Sequence, residues 1–290
     1  MKKTTNDNYR LRLTSVLDHI HDNINGDLDV NTLANIACMS PYHFHRIYRE
    51  LMQETVNATV RRFRLQKAAT DLIRTDQSIQ SIAKGLAYGS VEAFTRAFTK
   101  QFNTSPGDYR SSKKYNCASN APFIAMLPPE KKRNNNMFKI EEINLHKINL
   151  AGYPHKGDYM EIGSTFDKLF MAAGSQNLLN EKTRSFGLYY DDPKSVPSDD
   201  LRSMACLTVD EAQLLDDTFE QLTIPAGKCI SILFKGPHPE LEKPYDWLFG
   251  HWIPNSDLEI ADFPAFEEYL NDPKETPPTE LLTRIYCLLA

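Results

Sequence analysis

The sequence contains little of what membrane spans, disulfide frameworks and secretion signals require. Its apolar runs fall well short of the ~18 residues that cross a bilayer. Polar residues follow the basic start Met1-Lys2-Lys3, so no signal peptide is expected. The five cysteines are odd in number and include no Cys-x-x-Cys pair. We therefore expect reduced thiols, no membrane partner and a cytoplasmic location.

The sequence also lacks the short motifs of several enzyme classes. It contains no Gly-x-Ser-x-Gly, no phosphate-binding P-loop and no dinucleotide glycine pattern. Two histidine pairs, His19/His21 and His43/His45, have i, i+2 spacing, which directs them to different sides of a helix. Neither a carboxylate nor a cysteine completes a ligand set at a familiar spacing. We expect no catalytic residues, no cofactor and no bound metal.

Charge is distributed unevenly along the 290 residues, whose formal net charge is -5. Residues 1–115 carry a net charge of +6, whereas residues 134–290 carry -13. A basic front and an acidic back are typical of a polyanion-binding module joined to a second domain. Chance segregation of charge on two solvated surfaces is the alternative.

The texture of the sequence changes near residues 111–136, where no helical or strand period persists. Before this segment, apolar residues recur at spacings of three and four, which predicts helices. After it, six short β-rich runs alternate with two predicted helices, near residues 162–173 and 245–252. We predict an all-α domain over 8–112, a linker over 113–136 and an α+β domain over 137–290.

An internal repeat marks the helical part. Residues 40–52, SPYHFHRIYRELM, match residues 90–102, SVEAFTRAFTKQF, at an offset of 50. Each copy follows a short helix and a tight turn, which is the pattern of a helix-turn-helix unit. The predicted helix over 57–74 joins the two units. Together with its flanking turns, this helix can supply the separation of ~34 Å between successive major-groove turns of DNA.

Each copy of the repeat has an apolar and a polar edge. In the second copy, Phe94 and Phe98 face inward, while Glu92 and Arg96 face outward with Thr95. In a major groove, arginine can bind guanine O6 and N7, and glutamate can accept from cytosine N4. The alternative is that these polar edges are simply solvated helix faces.

Residues 28–110 resemble the DNA-binding domain of the AraC/XylS family. The match rests on RLQKAATDLIRTDQSIQSIAKGLAYGSVEAFTRAFTKQFNTSPGDYR, in which Ala87-Tyr88 and Asn103 depart from the usual pattern. The resemblance implies a transcription regulator that binds double-stranded promoter DNA sequence-specifically. The base readers that it implies are Tyr42, His45, Arg46, Val91, Glu92, Thr95 and Arg96. Plausible phosphate contacts are Arg61, Arg62, Lys100 and Arg110.

The C-terminal half resembles the GyrI-like effector-binding domain, which also follows AraC-type modules in Rob-type regulators. Five phrases occur in order: FGLYYDDP, IPAGKC, WIPNS, FPAFEEYLNDP and ELLTRIY. The resemblance implies two strand–helix–strand–strand repeats related by a pseudo-twofold, with a small-molecule site between them. It places the acid of that site at Glu267. The candidate aromatic walls are Tyr189, Trp247, Trp252 and Tyr269.

Local chemistry agrees with a small, cationic or aromatic effector. In a strand, Glu267 and Tyr269 share one face, while Glu268 lies on the other. A carboxylate among aromatic rings attracts a cation or a hydrogen-bond donor. Because strand register can slip by one residue, Glu268 is the main rival.

Two alternatives for the C-terminal half remain open. One is a small-molecule hydrolase, in which Glu267 acts as acid or base and Tyr269 as an electrophile. The other is a protein-binding role for the acidic surface, for example at RNA polymerase. The sequence leaves open the effector, the operator, the oligomeric state and the choice between activation and repression.

Overall fold

The computed structural model describes residues 5–26, 28–112, 137–210 and 216–290, with side chains from residue 8 onward. The predicted linker, 113–136, lies outside the described residues. Contacts group Asp7–Met39 with the described part of Tyr48–Glu130 in one compact unit. A second unit contains Ser40–Ile47 and the described part of Lys131–Ala290. No helix in the described ranges is both long and apolar enough to cross a bilayer.

Seven helices cover the described residues before position 113. In chain order they are α1 (Thr5–Asp22), α2 (Val30–Ile36), α3 (Pro41–Met52), α4 (Val56–Arg74), α5 (Ile79–Gly85), α6 (Val91–Phe102) and α7 (Pro106–Ser112). The repeat copies form α3 and α6, and α4 is the predicted joining helix. Local capping explains where several helices begin, because a side-chain oxygen accepts from a backbone N–H of the first turn. The capping residues are Asp29, Thr55, Ser78 and Ser90.

The second helix-turn-helix unit has its own apolar core. Phe94 and Phe98 on α6 are fully buried and pack with Leu65 and Leu72 of α4. Tyr109 of α7 closes this core with its ring edge on Phe98, at 5.3 Å between centroids. The predicted inward face of α6 is confirmed. Asn103 ends α6 in the left-handed conformation (φ 55°), which asparagine adopts more readily than most residues.

The C-terminal part forms one antiparallel sheet of eight strands. They are β1 (Ile140–Leu145), β2 (Ile148–Lys156), β3 (Ser185–Tyr189), β4 (Arg202–Thr208), β5 (Glu220–Ile224), β6 (Gly227–Lys235), β7 (Ala265–Tyr269) and β8 (Leu282–Leu288). Their spatial order is β1-β6-β8-β7-β3-β4-β2-β5. Helix α8 (Gly163–Ser175) lies between β2 and β3 in the chain. Between β6 and β7, α9 (Glu242–Trp247) continues through a π-helical turn into α10 (Ile253–Asn255).

The two strand–helix–strand–strand repeats are present, with two additional strands. One repeat comprises β2, α8, β3 and β4, and the other comprises β6, α9–α10, β7 and β8. Strand β1 pairs with β6, and β5 pairs with β2, so each extra strand joins the edge of the other repeat. The repeats meet at β3 and β7, which pair in the centre of the sheet. The predicted fold class is confirmed.

The two faces of the sheet have different coverings. One face carries an apolar core that includes Leu150, Phe186, Phe266 and Tyr286. On the other face, Leu169 of α8 packs in a second core with Ala151, Ala205, Leu207 and Tyr189 of the strands. Because side chains alternate along a strand, neighbouring residues of β7 enter different environments. This alternation separates Glu267 from Glu268.

Candidate functional site

The centre of the candidate site is the antiparallel pair of β3 and β7. In this register Gly187 lies opposite Glu267. Tyr189 and Tyr269 lie two positions further along their strands, on the same face as these two residues. A Cβ atom at Gly187 would lie 2.8 Å from the Tyr269 hydroxyl and 2.9 Å from the Tyr189 ring. Glycine at this position therefore provides the space in which the two tyrosines meet.

Glu267 is a buried carboxylate that is held by tyrosine hydroxyls. Its exposed fraction is 4%. Tyr245 of α9 donates to Oε1 at 3.0 Å, and Tyr269 donates to Oε2 at 3.0 Å. The hydroxyls of Tyr189 and Tyr269 lie 2.5 Å apart. Within the described residues Glu267 forms no direct ion pair, although the charge of Arg46 acts on it from a greater distance.

Burial sets the protonation of this group of residues. It raises the pKa of Glu267 to about 7, and the hydrogen bonds from Tyr245 and Tyr269 oppose that rise. The pKa values of Tyr189, Tyr245 and Tyr269 are raised well above 10.0, first by burial and then by the Glu267 charge. The tyrosines therefore remain neutral donors, while Glu267 changes charge near neutrality.

Further aromatic rings surround the tyrosines. Tyr159 packs edge-on against Tyr189, with 4.8 Å between centroids. Phe166 of α8 packs edge-on against Tyr269 at 5.5 Å, and His238 lies 5.4 Å from the same ring. Ring faces carry partial negative charge, as does an ionised carboxylate, so this arrangement favours a cation with apolar surface.

The rival acid, Glu268, has a different environment. It lies on the other face of β7, where Arg184 pairs with it at 3.2 Å. Tyr286 donates a hydrogen bond to its second oxygen at 2.5 Å. Glu268 is thus a buried carboxylate that already has a cation. Of the two acids, Glu267 is the one without a direct ion pair among the described residues.

Trp247 ends α9, and Trp252 ends the π-helical turn that follows it. Trp247 is buried, and its ring packs on Phe138 and His251 with centroids 5.5 and 6.3 Å away. Trp252 is partly exposed in the π-helical turn. The aromatic residue that α9 brings to Glu267 is Tyr245, which the sequence reasoning missed. The role of the tryptophans stays a prediction.

A second internal repeat, at an offset of 80, is the sequence signal that could have found part of this site. The identical positions in the two copies are Phe186/Phe266, Tyr189/Tyr269, Asp192/Asp272, Pro193/Pro273, Lys194/Lys274, Pro197/Pro277 and Leu201/Leu281. The repeat makes the paired tyrosines equivalent by sequence. It also makes Gly187 the counterpart of Glu267, so the acid occurs in only one copy.

The lysines of this repeat connect the two halves of the sheet domain. Lys194 lies in the loop after β3 and pairs with Asp246 of α9 at 2.7 Å. Lys274 lies in the loop after β7 and pairs with Asp167 of α8 at 2.6 Å. Each loop therefore contacts the helix of the other repeat. Asp192 accepts from the Ser195 hydroxyl at 2.7 Å and organises the turn after β3.

The outer edge of α6 is accessible. Glu92 and Arg96 are exposed, and Val91 and Thr95 are partly exposed. Ser90 caps the helix at the start of this edge, where its hydroxyl accepts from the Ala93 N–H at 3.1 Å. The exposed edge lies opposite the buried phenylalanines, as the repeat predicted. It provides the donor and acceptor groups that reading of base edges requires.

The four candidate phosphate contacts fall into two groups. Arg61 and Lys100 are exposed. Arg62 pairs with Glu54 and stacks on Phe63 at 4.7 Å. Arg110 donates to the carbonyl oxygens of Leu72 and Gln77, at 3.2 and 2.5 Å, near the end of α4. These partners give Arg62 and Arg110 structural contacts, and a phosphate role for any of the four stays a prediction.

The first copy of the repeat differs from the sequence expectation. Arg46 was expected to face outward, but its exposed fraction is 7%. It donates to the Asp191 carbonyl oxygen at 3.1 Å, and its guanidinium lies 4.5 Å from the centre of the Tyr245 ring. Tyr42 is partly exposed, with its ring 6.0 Å from Tyr190. The outward orientation of Arg46 is therefore wrong, because tertiary contacts within its compact unit enclose it.

Comparisons with known proteins agree with both parts of this description. Residues 138–290 match the GyrI-like small-molecule-binding domain, and residues 33–112 match a helix-turn-helix domain. The chain belongs to the GyrI-like family. Its N-terminal part is of the AraC type, and the protein is a DNA-binding transcription regulator with a GyrI-like small-molecule-binding domain. The predicted family resemblance is confirmed.

The most informative relatives cover the helical part. SoxS of Escherichia coli K12 is 33% identical over 91 residues, which are 31% of this chain and 85% of SoxS. PqrA of Proteus vulgaris, a probable transcription factor, is 36% identical over 88 residues, 30% of this chain and 72% of PqrA. YbfP of Bacillus subtilis is 37% identical over 93 residues, 32% of this chain but only 30% of YbfP.

One solved structure is similar to the C-terminal part. The C-terminal domain of EcmrR is 17% identical, with a TM-score of 0.44, over 53% of this chain and 98% of that domain.

Proposed function

We propose that this regulator senses an aromatic cation at Glu267 and reads promoter DNA through the outer edges of α3 and α6. The observation that carries the proposal is a buried carboxylate that has two tyrosine donors and no ion pair within the described residues. A carboxylate in this state is stabilised by any ligand that brings a positive charge and displaces water. The surrounding rings favour a ligand whose charge lies on an apolar body.

The chemical contribution of each residue follows from its position. Glu267 supplies the charge, Tyr245 and Tyr269 orient its two oxygens, and Tyr189 and Tyr159 offer ring surface beside them. Binding of a cation lowers the pKa of Glu267, because the ionised form gains a partner. Ligand affinity is therefore expected to rise with pH through the region near 7.

DNA recognition is assigned to the residues that the family resemblance implied. On α6 these are Val91, Glu92, Thr95 and Arg96, of which Glu92 and Arg96 are exposed. On α3 they are Tyr42, His45 and Arg46, of which Arg46 is buried in this structure. Phosphate contacts from Arg61 and Lys100 would position the helices without reading sequence. A regulator of this kind acts where promoter DNA is, in the cytoplasm, and RNA polymerase is the protein partner that we propose for it.

Calorimetric titration of the full chain with tetraphenylphosphonium, an aromatic cation, tests the ligand proposal. We expect saturable binding by the wild type at pH 8. Glu267→Gln keeps the shape of the side chain but removes its charge, and we expect it to weaken binding by about tenfold or more. Triphenylphosphine oxide has similar rings without the charge, so its binding should be weak in both proteins.

Glu181→Gln is the matched control, because Glu181 is an exposed acid in a turn and its substitution changes net charge equally. It should bind tetraphenylphosphonium as the wild type does. Equal affinity of the wild type and Glu267→Gln would contradict the proposed site. The sequence relatives are regulators, so the hydrolase alternative gains no support from them.

A further inference from the structure

Arg46 lies against one of the tyrosines that hold Glu267. Its guanidinium lies 4.5 Å from the centre of the Tyr245 ring and 5.6 Å from that of Phe249. These two rings are one helical turn apart and nearly parallel, with an interplanar angle of 10°. The hydroxyl of Tyr245 donates to Glu267. One tyrosine therefore contacts the arginine with its ring and the carboxylate with its hydroxyl.

The arginine is held by a backbone oxygen and two aromatic rings, without an ion pair among the described residues. Within the described residues it forms no ion pair, and its recorded hydrogen bond goes to the backbone oxygen of Asp191. This guanidinium has an exposed fraction of 7%, and its contacts are one backbone oxygen and two ring faces. The attraction of the Glu267 charge acts on it without direct contact. A ligand with a better fit can displace such a group.

Other residues of Ser40–Ile47 also form contacts here, so the whole segment is held in place and not Arg46 alone. His43 stacks on Phe249 at 5.1 Å and donates from Nε2 to the Phe263 carbonyl oxygen at 2.9 Å. Ser40 donates to Asp262 at 2.8 Å. The charges of Asp191 and Asp192 act on His45. Hydrogen-bond donors of the segment thus face carboxylates and carbonyl oxygens, and DNA also presents acceptor oxygens on its phosphates and base edges.

We propose that Arg46 is the resident cation of the Glu267 site: without ligand it occupies the site, and an aromatic cation competes with it and frees the first half of α3 for DNA. This inference rests on the proposed function, since it names the regulation of the same site. It explains how one binding event can reach a base-reading helix. The ligand replaces a side chain of that helix, so the two sites are linked by competition.

Competition has a quantitative consequence. An internal occupant reduces apparent ligand affinity by the fraction of molecules in which the site is free. Removing the charge of Arg46 should therefore tighten ligand binding. This is expected even though the loss of a side chain beside the ligand would by itself weaken binding. A purely structural arginine would have the opposite effect, because its loss would disorder the site and weaken binding.

The first arm of the test needs no ligand. In the full chain with ¹³C-labelled glutamate, NMR titration of the Glu267 carboxyl is compared between wild type, Arg46→Met and Arg74→Met. Methionine keeps an apolar stem that can pack on the Tyr245 ring. We expect Arg46→Met to raise the pKa of Glu267 and Arg74→Met, which removes an exposed arginine at the end of α4, to leave it unchanged. The other groups that face Glu267 are Tyr189, Tyr245 and Tyr269, which are present in all three proteins. An unchanged titration in Arg46→Met would overturn the inference.

The second arm measures tetraphenylphosphonium binding by the same three proteins at pH 8. We expect Arg46→Met to bind about tenfold more tightly than the wild type, and Arg74→Met to bind equally. Unchanged or weaker binding by Arg46→Met overturns the competition.

The two ideas fail separately. If Glu267→Gln abolishes binding while Arg46→Met does not tighten it, the ligand site stands and the resident cation falls. If neither wild type nor Arg46→Met binds the cation, the proposed function and the competition both fall.

Discussion

The first half of α3 and the outer edge of α6 come from two copies of one sequence pattern, yet they have different surroundings. On α6 the arginine of the pattern, Arg96, is exposed. On α3 the equivalent Arg46 is buried over the rings of Tyr245 and Phe249. The comparison teaches that an amphipathic pattern fixes which edge of a helix is polar, but tertiary contacts decide whether that edge meets solvent.

The difference has a functional meaning under our proposals. The α6 edge is accessible to DNA in this structure, whereas the α3 edge must first lose the contacts of Arg46 with Tyr245 and Phe249. A ligand that competes for these contacts changes the number of base-reading helices that are available to DNA.

The largest expected effect is on the pH dependence of stability, because the enclosed region contains two buried titratable groups with opposite behaviour. Burial raises the pKa of Glu267 from 4.5 to about 7, so its contribution to stability is present below pH 4.5 and is lost as pH rises to about 7. Burial lowers the pKa of His43 from 6.5 to about 4, so its contribution is present above pH 6.5 and is lost as pH falls to about 4. The two slopes oppose each other in the wild type.

Single substitutions should separate these slopes. At pH 8, Glu267→Gln should be more stable than the wild type by up to about 3 kcal/mol, since the buried ionised acid is gone. His43→Gln should remove the loss of stability on acidification, while His21→Gln, at an exposed histidine of α1, should not. Urea unfolding at several pH values measures all four proteins. A wild-type-like pH profile for Glu267→Gln would show that this carboxylate is not buried as described.

A smaller effect is expected on DNA binding, and it sharpens the contrast between the two arginines. For a duplex selected by the wild type from random DNA, Arg96→Ala should lose about 2 kcal/mol of binding free energy, with or without tetraphenylphosphonium. Arg46→Ala should bind this duplex less tightly than the wild type only when the cation is present, because only then is Arg46 available to DNA. Fluorescence anisotropy at matched salt measures both.

Arg74→Ala controls for the loss of one positive charge, which weakens binding to every DNA sequence alike. Equal losses for Arg46→Ala with and without the cation would remove the distinction between the two helices. If Arg96→Ala discriminates between DNA sequences as well as the wild type does, Arg96 on α6 does not read bases.

Much of the fold follows from the sequence because its signals are local. Spacings of three and four residues predict the helices, and the offset of 50 predicts the two helix-turn-helix units. Strand β2 was missed because Gly152 and Pro154 interrupt its pattern. A Cβ at Gly152 would lie 2.6 Å from Leu222 of β5, so this glycine is explained by a neighbouring strand that sequence reasoning also missed.

The candidate site was predicted in part for the same reason. Period-two alternation together with the family resemblance assigns Glu267 and Tyr269 to one face, and the structure places them together. Tyr245 could not be predicted, because its contact depends on how α9 lies over the sheet. The burial of Arg46 depends on residues nearly 200 positions away, for which the repeat carries no signal.

Hydrogen exchange measured by mass spectrometry on the full chain, with and without tetraphenylphosphonium, tests the central claim most directly. The account predicts that backbone amides of residues 41–47 exchange faster when the cation is bound, while those of α6 (Val91–Phe102) are unchanged. Glu267→Gln should show no response to the cation. Slower or unchanged exchange in residues 41–47, under conditions where the cation is bound, would contradict the account.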